Sequence, residues 1–245
     1  MKEHGILYSA PMVLAHLADR KRQTRRAEAL KVINVDPENW TIEQQGLISA
    51  PGHKHSGKFG VLLRHVDGRL VCVPFQYAPG DHLWVREAWR TAVAVDDCDS
   101  PAMQLRLAIA GKNPADVIPI QYEADKGRRN WIEGLEPGRY RHARFMPRWA
   151  SRIDREVTAI RCERLHDITA EDAIAEGIER RDLHSAGRIV PFFRDYSNPD
   201  GSDVHSLILA CPIESYRTLW DSINGAGAWD LNPWLFVTTF KRIEQ

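Results

Sequence analysis

Five cations fall within the eight residues Asp19-Arg20-Lys21-Arg22-Gln23-Thr24-Arg25-Arg26, and Lys21 and Thr24 stand three positions apart. A threonine hydroxyl is a weak nucleophile until a neighbouring base takes its proton. A lysine can be that base only when partly neutral, so its pKa must sit well below the ordinary ~10.4. Burial and nearby positive charge both push it down. Arg20, Arg22, Arg25 and Arg26 supply the second influence and stay protonated themselves. Residues at i and i+3 also share one face of a helical turn. The run thus has three readings: a nucleophile beside its base, an arginine grip on phosphate, or a basic turn at a helix end, where cations suit the dipole.

Other residues of the chain could act beside this run. Residues 169–177, Thr-Ala-Glu-Asp-Ala-Ile-Ala-Glu-Gly, predict a short helix with Thr169 as N-cap, Asp172 at the capping-box position and Gly177 as terminator. Glu171 lies in the first turn, where the dipole favours its charged form. Glu176 lies in the last turn, where the dipole disfavours its charged form. Trp84, Trp89, Trp149 and Trp234 could stack on a base, although a tryptophan in a strand is ordinarily core. Trp149 sits in the basic stretch Pro147-Arg148-Trp149-Ala150-Ser151-Arg152. Arg86 is placed either to hold substrate or to pair with Glu87 or Asp81. The ten histidines form no triad or ligand spacing, His53 and His55 fall in a Gly-bounded loop, and no phosphate-cradling glycine loop is present.

These groups need a scaffold. Residues 4–8 read as a strand and 11–18 as a helix opened by Ser9 with proline in its first turn. Residues 27–60 carry no firm assignment. Residues 61–73 predict a hairpin turning at Asp67-Gly68, and Pro79-Gly80-Asp81 a turn into a strand over 82–87. Residues 92–117 and 125–130 read as loops, with a strand at 118–123 between them. Residues 153–165 predict a long strand with Val157, Ala159, Cys162 and Leu165 inward. Residues 179–211 read as loop, 213–223 as a helix with Tyr216, Leu219, Trp220 and Ile223 on one face, and 234–243 as a closing strand. Many strands with few short helices predict a small β-barrel whose first and last strands pair.

Composition sets the outer limits. The 245 residues, 43% hydrophobic with eight tryptophans, can fill a sizeable core. Lys and Arg number 33 against 33 Asp and Glu, so no global field draws the chain to nucleic acid. Cys72, Cys98, Cys162 and Cys211 lie far apart with no metal-ligand spacing, so reduced thiols in a cytoplasmic protein and no metal are expected. No apolar run approaches the roughly 20 residues of a membrane span.

The basic run resembles the signature of the ASCH family, small β-barrels related to the PUA domains of RNA-binding proteins, whose motif is Gly-x-Lys-x-x-Glu-x-Arg. Asp19 stands at the Gly position, Lys21 at the Lys, Thr24 at the Glu and Arg26 at the Arg. The Lys-x-x-Thr-x-Arg version is similar to that of the family's bacterial amidohydrolases acting on N4-acetylcytidine. Pro79 to Arg86 resembles the family's Gly-Asp turn into a central strand. Phage and prophage ASCH-like proteins share the Tyr8-Ser9-x-Pro11-Met12 opening, the segment 146–152 and Asn232-Pro233-Trp234. The resemblance implies one α+β, ASCH-like domain with insertions at about 27–60, 92–150 and 179–211, free of cofactors. It implies Lys21 as base, Thr24 as nucleophile and Glu176 as proton donor, with Arg26, Trp84, Arg86 and Trp149 around the substrate. The partner would be an N4-acylated pyrimidine nucleoside or base, with RNA binding or cleavage as the alternative.

Overall fold

The computed structural model describes residues 1–49, 54–97, 103, 107–126, 136–185, 188–197 and 207–243. It is a mixed α+β structure, mostly strands with few helices. The chain divides into two compact units, one of Met1–Ala18, Asp81–Glu156 and Arg242–Gln245, the other of Asp19–Gly80 and Val157–Lys241.

In the first unit, strand β1 (Glu3–Leu7) leads into helix α1 (Ala10–Leu17), whose N-cap is Ser9 and whose first turn carries Pro11. β1 runs parallel to β6 (His82–Arg86), and β6 pairs antiparallel with the opening residues of β9 (Asp154–Arg164). A short pair joins β7 (Trp89–Thr91), in a stretch the sequence left unassigned, to β8 (Ile120–Tyr122), read as strand, and a helical turn α2 (Pro114–Val117) lies where a loop was expected. Trp89, Ile118, Met146 and Ala150 form this unit's core, and Trp149 packs edge-on to Trp89 at 5.8 Å. Asp125, assigned to a solvated loop, is buried; residues 127–130 of that loop lie outside the described residues.

The second unit holds β2 (Gln23–Arg26), the meander β3 (Trp40–Leu47), β4 (Phe59–His65) and β5 (Leu70–Pro74), the rest of β9, helix α3 (Ala170–Ala175), strands β10 (Arg180–Ser185), β11 (Arg188–Arg194) and β12 (Leu207–Leu209), helix α4 (Pro212–Asn224) and β13 (Trp234–Arg242). The unassigned segment after Arg26 contains three 3-10 turns and β3. Leu30, Ile33, Trp40, Val61, Leu63, Cys162, Trp234 and Phe236 make the core, placing strands and turns on one apolar cluster.

Four expectations are corrected. β13 takes β2 as antiparallel partner while β1 takes β6, so first and last strands do not pair and no closed barrel forms among the described residues. The described residues between 179 and 211 are not all loop: branched and aromatic side chains help build the sheet β10-β11-β12, and residues 186–187 and 198–206 lie outside the described residues. Pro191 is tolerated inside β11 because β12 pairs only with Phe193 and Arg194, which leaves β11 locally an edge at the proline. Ala159 is exposed, because β9 buries Arg155 and Val157 and then Cys162, an odd step that reverses the alternation. Ile223 is also exposed: α4 buries Tyr216, Leu219 and Trp220, and its last turn runs past the core.

Candidate functional site

Strand β2 lies antiparallel to β13, with Thr24 opposite Thr238 and Arg26 opposite Phe236. Two backbone hydrogen bonds fix the residues before it: Arg22 N–H donates to Ala175 O at 2.7 Å, and Phe240 N–H donates to Arg22 O at 2.9 Å. The segment is thereby held between the end of α3 and β13. Asp19, which stands where the family motif has glycine, takes φ 52°. That is left-handed backbone, which glycine adopts freely and aspartate tolerates better than most residues.

The last turn of α3 delivers the acid. Thr169 Oγ1 accepts from Asp172 N–H, starting the helix, and Gly177 leaves it at φ 91°. Glu176, at the C-cap, meets Lys21. Lys21 Nζ donates to Glu176 O at 2.8 Å and to Glu176 Oε2 at 2.9 Å, and both residues are only 3% exposed. The lysine thus satisfies one orphan carbonyl of the helix end as well as the carboxylate. Burial is the strongest influence on its titration and holds its pKa below the ordinary lysine value. The Glu176 carboxylate pulls upward, and the charges of Arg26 and Arg25 push downward with burial. The basic run is therefore not a solvated turn.

Arg25 completes the cluster. Its Nη1 donates to Glu176 Oε1 at 3.0 Å and Gln23 Oε1 at 2.7 Å, and its Nη2 to Glu163 Oε1 at 2.8 Å and Asp172 Oδ2 at 2.9 Å. Arg161 binds the other oxygen of Glu163, Oε2, and shares Asp172 Oδ2 with Arg25, reaching each oxygen at 2.6 Å. Three cations thus face three anions, which lowers the cost of burying either set. Tyr216 is buried nearby, and burial with the Glu176 charge raises its phenol pKa well above the ordinary value. Sequence reasoning treated Arg25 as one more surface cation and overlooked Glu163 and Asp172 as its partners. The signal was strand alternation: Gln23 and Arg25 share one face of β2, and Arg161 and Glu163 share one of β9.

The same alternation puts Thr24 and Arg26 on the other face of β2. Thr24 is buried, and no hydrogen bond joins its hydroxyl to Lys21 or Glu176. Arg26 lines a hollow of about 30 Å³ with Glu28, Gln76, Tyr77, Phe236 and Thr238. That volume holds about one water rather than a pyrimidine ring. Burial raises the Tyr77 phenol pKa, with the Arg26 charge opposing it.

Trp84, Arg86 and Trp149 belong to the first unit. The Arg86 guanidinium lies 4.5 Å from the Trp84 ring centroid and donates to Arg144 O at 3.5 Å. It pairs with neither Glu87 nor Asp81: Glu87 is held by Arg152, and Asp81 accepts from Lys2 N–H. Gly5 makes room for it, since a Cβ there would collide with the guanidinium. Of the arginines in the basic run, Arg25 is ion-paired at 2.8 Å and Arg22 pairs with Asp19, and in the stretch around Trp149 both Arg148 and Arg152 are ion-paired at 3.1 Å or less. A larger cavity, about 480 Å³, lies in the first unit along His16, Arg152, Asp154, Arg155 and Arg242, and Lys21, Thr24 and Glu176 are not among its lining residues. Among the described residues no group of three or more His, Cys, Asp or Glu is arranged to hold a metal ion, and no helix is long and apolar enough to cross a membrane. No protein-family model, no curated protein and no solved structure matches this chain.

Proposed function

We propose that the protein is an amidohydrolase that removes an acyl group from the exocyclic amine of a modified pyrimidine, most simply N4-acetylcytidine. One observation carries this reading: a lysine buried to 3% exposure, its pKa lowered by that burial, hydrogen-bonded at 2.9 Å to a buried glutamate from a distant part of the chain. A lysine in this state can accept a proton, and a carboxyl in contact with it can pass one on.

In the proposed reaction Thr24 Oγ1 attacks the acyl carbonyl while Lys21 Nζ takes its proton. Arg26 and a backbone N–H steady the oxyanion. Lys21 hands a proton to Glu176 Oε2, and Glu176 delivers it to N4 as the C–N bond breaks. Water then cleaves the Thr24 ester, releasing the carboxylic acid and restoring the hydroxyl. Substrate entry requires the Gln76-Tyr77 wall to yield and the β2 backbone to shift so that Thr24, on the face opposite Arg25, meets Lys21. An ASCH-like classification belongs to the same proposal, supported by the Lys21-Thr24-Arg26 spacing, the Pro79-Gly80-Asp81 turn and the long strand β9 leading to α3. A cytoplasmic setting does too, supported by free thiols at Cys72, Cys162 and Cys211.

The test is release of cytidine from N4-acetylcytidine by purified protein. Lys21→Ala and Thr24→Ala should each lower kcat by about 10²–10⁴-fold. Activity surviving both changes overturns the assigned roles. Failure of all acylated nucleosides, with RNA bound under a steep salt dependence, replaces the reading with nucleic-acid binding.

A further inference from the structure

We infer that Arg25 is a positioning residue of this site: by occupying Glu176 Oε1 it reserves Oε2, the oxygen facing Lys21 Nζ, for proton exchange. Its kinetic consequence rests on the amidohydrolase reading; its consequence for Lys21 does not. The geometry is unusually restrictive. The Arg25 side chain has no solvent exposure, and its two Nη atoms make four hydrogen bonds, to Gln23, Glu176, Glu163 and Asp172. Four donors on four acceptors match the four Nη hydrogens of a guanidinium, so the fork cannot turn without breaking a bond.

The acceptors come from three elements, Gln23 on β2, Glu163 on β9, and Asp172 with Glu176 on α3 and its cap. Arg25 therefore ties the helix end that carries Glu176 to the strand that carries Thr24. Because Nη1–H holds Oε1 and Nζ faces Oε2, a proton leaving Lys21 has Oε2, 2.9 Å away, as its landing place. The proton that Lys21 takes from the nucleophile then moves along one fixed contact: N–H breaks at Nζ, O–H forms at Oε2, and the leaving amine receives it. Glu176 is returned as a carboxylate to Arg25. Burial and nearby charge act together here, since Arg25 is also one of the cations pushing the Lys21 pKa down.

The experiment compares wild type with Arg25→Met and Arg25→Lys, following the Lys21 titration by NMR of labelled lysine alongside kcat and KM for N4-acetylcytidine. In Arg25→Met the Lys21 titration should move to higher pH and kcat should fall at least about 10-fold, with KM within about twofold. Arg25→Lys keeps the charge and loses the fork, so the Lys21 titration should stay near wild type while kcat still falls. A purely structural role would lower thermal stability in both variants and leave kcat per folded molecule and the Lys21 titration unchanged, and that result overturns the inference. If Arg25→Met does not fold, Arg25→Lys decides, and unchanged kcat there is the overturning outcome. If wild type turns over no acylated nucleoside, the amidohydrolase reading fails, and Arg25 is judged on the Arg25→Met titration alone: no upward shift contradicts it.

Discussion

Lys21 is the residue on which the proposed chemistry turns, and its environment fixes the sign of two pH effects. Its folded pKa is lowered, chiefly by burial, so between that value and the unfolded ~10.4 the unfolded chain binds the extra proton. Stability owed to this group is therefore fully present above the unfolded value and is lost as pH falls through the folded one. Relative to Lys21→Met, wild type should gain unfolding free energy with rising pH across that window, measured by denaturant titration at several pH values. Activity should rise as pH climbs through the folded value and level off above it, because the base works when neutral. Lys21→Arg should be inactive, since a guanidinium stays protonated. Thr24→Val keeps the shape and loses the hydroxyl, so turnover should vanish while the melting temperature moves by only a few degrees, on the order of 1 kcal/mol. A Thr24→Val protein that still releases cytidine contradicts the nucleophile assignment.

Helix α3 and strand β2 are the elements that hold this arrangement. Thr169→Ala removes the one side-chain cap of α3 and should cost about 1 kcal/mol in chemical denaturation. Because the other end of that helix carries Glu176, kcat should fall as well, whereas Asp19→Gly, which relieves left-handed backbone at φ 52°, should change stability by less than about 1 kcal/mol and leave kcat intact. The capped helix, the Asp67-Gly68 hairpin, the Pro79-Gly80-Asp81 turn and the closing strand were legible in the sequence because each is marked by local chemistry: a cap, a positive-φ residue, a branched apolar run. The three strands after residue 179 were not, because Pro191 and polar residues mask a pattern that only pairing with neighbours explains. The site was legible in the same uneven way. Lys21 could be singled out from its spacing to Thr24, and Glu176 from the family resemblance together with its place in the last helical turn. Arg25 could not be separated from its fellow arginines, since its four acceptors come from positions up to 151 residues away.

At the scale of the whole molecule, balanced charge and internal ion pairing govern how the protein meets its surroundings. Zero formal net charge gives little long-range attraction to a polyanion. Thiol chemistry reports on packing: burial pushes the Cys162 pKa up to about 12, whereas Cys211 is exposed. An alkylating reagent should label Cys211 in the native protein and Cys162 only after unfolding, as mass spectrometry of the digested protein would show; early labelling of Cys162 would mean the second unit's core is open. Leu235→Ala, at a fully buried position, should destabilise that unit by about 2–5 kcal/mol. The most direct measurement for the central claim is cytidine release from N4-acetylcytidine by wild type and Lys21→Met, from about pH 6 to about pH 10. The expected result is wild-type turnover that rises with pH and levels off below the ordinary lysine value, with none from the variant. Equal turnover by both proteins, or a wild-type profile flat across the range, would contradict it.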